Sequence, residues 1–378
     1  MSAHAGGGPS GPQFGYGKYV NESRAVMACA LDGDVASKYQ TCLAQKLLHL
    51  IEQTRDPADE LPRIDAYAHS IGGWLPAHCH ILMHTVGREY GVAEHVTLEN
   101  LYQSLPKSND PGCSAGFSHG LLIALGPAIQ KLGPQGAKAE CAKATTRYER
   151  YSCVHGLGHA YARIYLDYLE PAIASCRLLG TGDAVDCAQG AFHDYWIAVD
   201  GLDAAKAHPD MATSPRVLCG EFRGNFARAC WYRALLERPP ARPVDSVGAI
   251  LAVCKGLKGV QLKGCVTGAS LIRSSDPYTQ MATCARMVAS LAVACARGVQ
   301  VPGVALSPLR DQVALIDACP GFARSAQFGC NWWLGLALNV VTNGRFEKEG
   351  CPRLGATAAR RACTEGGESY EGPLVTFS

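Results

Sequence analysis

Seven pairs of cysteines recur along the chain at one spacing: Cys141/Cys153, Cys176/Cys187, Cys219/Cys230, Cys254/Cys265, Cys284/Cys295, Cys319/Cys330 and Cys351/Cys363, each 11 or 12 positions apart. The second members, extended backward, fall at 79, 113, 153, 187, 230, 265, 295, 330 and 363, in steps of 30 to 43 residues. A period of that length belongs to stacked helical hairpins or to propeller blades. Alanine and leucine dominate and β-branched or aromatic alternation is scarce, so the hairpins are the better reading. The chain is therefore expected to be all-α, with about eight or nine α/α hairpins stacked as a tightly curved solenoid or a closed toroid.

The spacing has a geometric reason. In CRLLGTGDAVDCAQGAFHDYW a first helix can end at Gly180, which suits the left-handed conformation that closes helices. Thr181 or Asp183 can then cap the next. Cys176 lies one turn before that corner and Cys187 one turn after it, within reach of a disulfide across the hairpin. Each such bridge closes a short loop and stabilises by about 3 kcal/mol in the chain-entropy model. Cys29 and Cys42, 13 apart, can staple an irregular first hairpin. Cys79 and Cys113 occupy the same position of successive repeats, so they either join each other or leave a free thiol. Over residues 70–365 the period and the bridging cysteines make the chain resemble disulfide-stapled helical-repeat proteins of the Sel1-like kind. The residue consensus of that family is absent, so the resemblance concerns architecture and transfers no binding residues.

An even count of 18 cysteines with no Cys-x2-Cys excludes zinc-ribbon, thioredoxin-type and haem-attachment motifs, and points to an oxidising, extracytoplasmic compartment, periplasmic or secreted. No signal peptide is visible in the chain. Residues 1–19 are rich in Gly, Pro and Ser and read as a flexible arm. Residues 20–365 read as one repeat domain with a histidine-bearing half (about 70–200) and an apolar half (about 210–365), and 366–378 as a tail. A net charge of +2 carries no electrostatic footprint for nucleic acid. The longest apolar run, WWLGLALNVV (332–341), is too short to span a membrane.

The histidines follow the same register. The segments CHILMH (79–84), CSAGFSH (113–119), CVHGLGH (153–159) and CAQGAFH (187–193) place His119, His159 and His193 six residues beyond a cysteine and His84 five beyond. His80 and His155 lie four residues earlier, on the same helix face. CVHGLGHA is thus expected to form the first turns of a helix with two imidazoles on one face. Gly156 and Gly158, echoed by Gly116 and Gly190, let another backbone approach. In later repeats the equivalent positions are Leu236, Leu271, Val301 and Leu336, and no histidine follows His208. A structural need of the repeat would act on every repeat; this one acts on four.

Six neutral imidazoles suit copper, zinc, nickel or haem iron. The metalloprotease motif His-Glu-x-x-His is absent, since Ile81 stands where the glutamate would be. No Glu-x-x-His pair for a carboxylate-bridged di-iron site occurs near these helices. His80, His84 and His119 can form one cluster, and His155, His159 and His193 another, a set suited to copper, with iron or zinc as further choices. A bis-imidazole haem would strand four histidines. Tyr90, Asp194 and Tyr195 are the candidate catalytic residues, placed to orient a small-molecule or peptide substrate if the site is an oxidase or oxygenase. Glu221 and Arg223 read as a surface pair and Asn331–Trp333 as core. The alternative is a non-catalytic scaffold that binds a protein or peptide on its concave face.

Overall fold

The computed structural model describes residues 57, 60, 61, 64, 74–105, 113–145, 147–166, 168–199, 214–237, 244, 246–270, 277–298, 316–322, 324–341 and 345–370. Within them all regular structure is helical. In chain order the helices are α1 (Trp74–Ala93), α2 (Leu101–Ser104), α3 (Cys113–Ala124), α4 (Gly126–Cys141), α5 (Arg147–Ile164), α6 (Leu169–Arg177), α7 (Thr181–Val199) and α8 (Pro215–Gly220). They continue as α9 (Gly224–Glu237), α10 (Val247–Val253), α11 (Gly259–Ser270), α12 (Pro277–Ala285), α13 (Ala289–Gly298), α14 (Arg324–Val341), α15 (Phe346–Glu349) and α16 (Thr357–Tyr370). None is long and apolar enough to cross a membrane. The last helix runs to Tyr370, past the boundary expected at residue 365.

Helices α1, α3, α5, α7, α9, α11, α13, α14 and α16 pack each on the next in chain order. The seven cysteine pairs all close as disulfides, with Cα atoms 5.4–5.8 Å apart. Each ties a member of that series to the shorter segment just before it, as Cys141 of α4 to Cys153 of α5 and Cys176 of α6 to Cys187 of α7. Cys79 and Cys113 join each other, linking α1 to α3. No free cysteine occurs among the described residues. The pairing of Cys29 with Cys42 and the arm at 1–19 lie outside the described residues, as do Leu271 and Val301.

Two local expectations change. Helix α5 begins at Arg147, six residues before Cys153, so CVHGLGHA sits in the middle of a helix and not in its first turns. The corner before α7 is made by Gly180 at φ 92°, whose carbonyl accepts from the Ala184 amide at 2.8 Å. Asp183 lies inside the first turn, where its carboxylate meets Lys138 at 3.2 Å and Arg150 at 3.0 Å.

Glycine explains how helices carrying bulky histidines come so close. A Cβ at Gly116 would collide with the His80 carbonyl, one at Gly190 with that of His155, and one at Gly158 with that of Cys187. Gly156 faces the Leu122 side chain instead. Each interior glycine costs about 1 kcal/mol of helix propensity, and in exchange backbone meets backbone across the α1/α3 and α5/α7 interfaces.

Candidate metal centre

The close packing of α1, α3, α5 and α7 gathers all six predicted histidines. On α1 the rings of His80 and His84 lie 4.9 Å apart, and both reach His119 of α3, at 5.0 and 5.5 Å between centroids. His155 and His159 of α5, 5.1 Å apart, lie 4.8 and 5.1 Å from His119. His193 of α7 meets His159 at 5.0 Å, His80 at 5.2 Å and His84 at 5.3 Å. The first and fourth of these helices therefore converge on one cluster, where His84 of α1 also lies 4.4 Å from His159 of α5.

One nitrogen from each of His80, His84, His119 and His159 lies within 4.8 Å of the others, and the same holds for His155, His159 and His193. Ligands about 2.0–2.1 Å from a zinc or similar ion stand at most roughly 4 Å from one another, so the nitrogens of either set must draw together by roughly an ångström to share an ion. His84 Nε2, His119 Nδ1, His155 Nδ1, His159 Nε2 and His193 Nδ1 are fully buried and meet no protein partner. Burial pushes the imidazoles of His84, His119, His155 and His193 well below their ordinary pKa, and neighbouring rings and guanidinium groups push the same way. Burial also lowers His159, against the opposing pull of Asp194. Neutral rings present lone pairs, the form in which histidine binds metal.

The outward nitrogens are held by a polar shell. Asp194, fully buried, takes His159 Nδ1 at 3.4 Å and is ion-paired to Arg163. Glu237 Oε1 lies 3.1 Å from His193 Nε2 and 3.8 Å from Arg233 Nη1. Arg233 Nη2 stands 3.4 Å from His155 Nε2, and Ser152 Oγ is 3.3 Å from His119 Nε2. Carboxylates on the far nitrogen fix the tautomer and ring orientation of metal-binding histidines. Arg163, Arg233, Glu237 and Ser152 were not legible as site residues in the sequence. A signal did exist: Arg163 is four residues after His159 and Glu237 four after Arg233, each pair on one helix face.

The three candidate catalytic residues separate. Asp194 touches the cluster. Tyr90 packs its ring on Phe117 at 5.4 Å, and Tyr195 packs edge-on against Trp196 at 5.4 Å. At about 100° per residue, Tyr90 lies some 240° round α1 from His84, and Tyr195 about 200° round α7 from His193. Glu221 and Arg223 are exposed, and Trp332 and Trp333 are buried core. No protein-family model, curated protein or solved structure matches this chain, so the Sel1-like resemblance rests on period and cysteine spacing alone.

Proposed function

We propose that this is an exported metalloprotein whose stacked, disulfide-stapled hairpins curve to place a metal site at the buried cluster of His80, His84, His119, His155, His159 and His193, its ligands drawn from that set, with copper the favoured ion and iron or zinc further choices. The observation that carries the reading is the quartet His80, His84, His119 and His159, whose ring nitrogens lie within 4.8 Å of one another. Imidazoles this crowded are a poor core: His84, His119 and His159 each bury a nitrogen that meets no protein partner, and such an atom costs about 1–3 kcal/mol. An ion answers several at once. The eight disulfides of the described residues fit an oxidising compartment.

The activity that suits a neutral nitrogen set in such a compartment is oxidation or oxygenation of a small organic or peptidic substrate, with the metal supplying the redox chemistry. Asp194 and Glu237 hold His159 and His193 in the tautomers that face the centre, and Arg163 and Arg233 balance those carboxylates. Elemental analysis of untagged protein from an oxidising host tests the reading, followed by oxygen-consumption assays with ascorbate or phenols as reductants. Metal at one or two equivalents per chain is expected. Protein that purifies metal-free, and takes up neither copper nor zinc, would overturn it and leave the scaffold that binds a protein or peptide.

A further inference from the structure

The six imidazoles are not equivalent, and the groups behind them show why. A carboxylate can only accept a hydrogen bond, so the nitrogen facing it carries the proton and the opposite nitrogen keeps its lone pair. His159 faces Asp194 through Nδ1 and His193 faces Glu237 through Nε2, which turns the lone pairs of His159 Nε2 and His193 Nδ1 toward the centre. His155 is backed the other way. Its Nε2 faces the Arg233 guanidinium at 3.4 Å, and a guanidinium can only donate. Nε2 must then accept, and the proton of the neutral ring sits on Nδ1. That nitrogen is buried and has no protein partner.

We propose that His155 is not a metal ligand but the hydrogen-bond donor, through Nδ1–H, to a small anionic ligand such as hydroxide or azide bound at the metal centre. The proposal rests on the metal-binding reading above. Local charge supports it. The two carboxylates of the shell are matched by Arg163 and Arg233, and the rings that meet the ion are uncharged, so a divalent ion keeps its positive charge until an exogenous anion joins it. His155 reaches the rings of His119 at 4.8 Å, His159 at 5.1 Å and His193 at 6.3 Å, and one of its nitrogens lies within 4.8 Å of a nitrogen of His159 and of His193, close enough for a donor to meet a small anion held beside them. Such a donor selects anions with a lone pair left over after metal binding. It also gives Arg233 a function: the guanidinium fixes the tautomer that points the donor inward.

Two measurements test this on the intact, disulfide-bonded protein. Nitrogen-15 NMR of wild-type protein loaded with diamagnetic zinc should show the His155 Nδ1 proton retained and its Nε2 free of proton and metal, while His159 is protonated at Nδ1 with Nε2 on the metal and His193 is protonated at Nε2 with Nδ1 on the metal. Loss of the His155 Nδ1 proton on loading would make it a ligand and overturn the proposal. In the copper-loaded protein, His155→Leu should keep the wild-type metal content but weaken azide binding, read from its charge-transfer band, by tenfold or more. His155→Asn, which restores an N–H near the Nδ1 position, should stay within about threefold of wild type. Unchanged azide binding in His155→Leu, or metal loss equal to that of His159→Ala in a folded protein, would equally sink it. Wild-type protein that takes up no metal is a different result: there the metal-binding reading itself fails, and this inference with it.

Discussion

The helices before and after residue 210 are built alike and lined differently. Both regions carry the hairpin disulfides, and both use glycine where helices meet: Gly264 against the Arg228 carbonyl, Gly298 against Thr267 and Gly335 against Cys363 repeat the contacts of Gly116 and Gly190. What faces inward changes. In the later helices Thr267 donates to the Lys263 and Ala294 carbonyls at 2.9 and 3.0 Å, Ser270 to Val266 at 2.6 Å, and Asn331 to Gln327 at 2.7 Å. The unmet polar atoms there include Trp333 Nε1 and Asn339 Nδ2, which are N–H donors with no lone pair for a metal. In the earlier helices the unmet atoms include five imidazole nitrogens around one point. The scaffold therefore requires cysteine and glycine, and it does not require histidine.

The largest break between the two regions should come from metal content. His159→Ala removes a ring that belongs to both candidate ligand sets, and is expected to abolish stoichiometric metal while the protein stays folded by circular dichroism. Leu336→Ala, at the equivalent place of a later helix and fully buried, should do the reverse. It should cost about 2–5 kcal/mol of stability from cavity formation and leave metal per folded chain unchanged. Equal metal loss in both variants would show that the ion senses only global folding.

Acid should separate the regions next. Imidazoles held below their ordinary pKa of 6.5 are neutral in the folded protein, whereas the unfolded chain protonates them once the pH falls below that value. The unfolded state then binds more protons, so stability is retained above about pH 6.5 and lost as the pH falls further, by at most about 1.4 kcal/mol per pH unit for each ring. Hydrogen exchange of metal-free protein at pH 5 should open α1, α3, α5 and α7 before α11, α13 and α14. Bound metal should postpone that opening. Simultaneous opening of both regions would mean that the histidines carry no pH-dependent load of their own.

The staples predict a smaller and more even effect. Replacing Cys176 and Cys187 together by alanine, or Cys319 and Cys330 together, should cost about 3 kcal/mol each, because the loops are closed by the same 11-residue separation. Chemical denaturation of the two double variants checks this. If the first pair also lowers metal content and the second does not, the bridge in the histidine region positions ligands as well as stabilising the hairpin.

The legible part of the molecule is the part written in local spacing. Cysteines 11 or 12 apart define a hairpin without help from the rest of the chain, and histidines at i and i+4 define a face. Cys79 with Cys113, at a separation of 34, obeys no local rule: the sequence left a mutual bridge and a free thiol as alternatives, and the packing of α1 on α3 decides for the bridge. The start of α5 was misplaced because the hairpin reading set the second cysteine about one turn past the corner, whereas α5 begins six residues before Cys153; glycines 156 and 158 are interior positions where neighbouring groups crowd the backbone. Arg233 and Glu237 were missed for a related reason. They lie on α9, 40 or more residues beyond His193 in sequence, and they meet the histidines only through tertiary packing.

Asp194 gives the finest distinction between a scaffold and a site. It was picked from the sequence for its place beside His193, yet its contact is with His159 of the neighbouring helix, and Arg163 holds its other oxygen. Asp194→Asn keeps the shape and an oxygen that accepts the Nδ1 proton, but removes the charge that makes His159 a stronger base. Loss of such a partner lowers metal affinity by about 10–100-fold, so the variant should still fill at saturating copper while competing chelators strip it sooner. Glu221→Gln, an exposed acid on the next hairpin, serves as the control and should match wild type in the same competition. If Asp194→Asn also matched wild type, the carboxylate would belong to an Arg163 ion pair of the core, and His159 would need no help to present Nε2. A selective loss would instead place the boundary of the site one shell beyond the imidazoles, at the salt-bridged carboxylates.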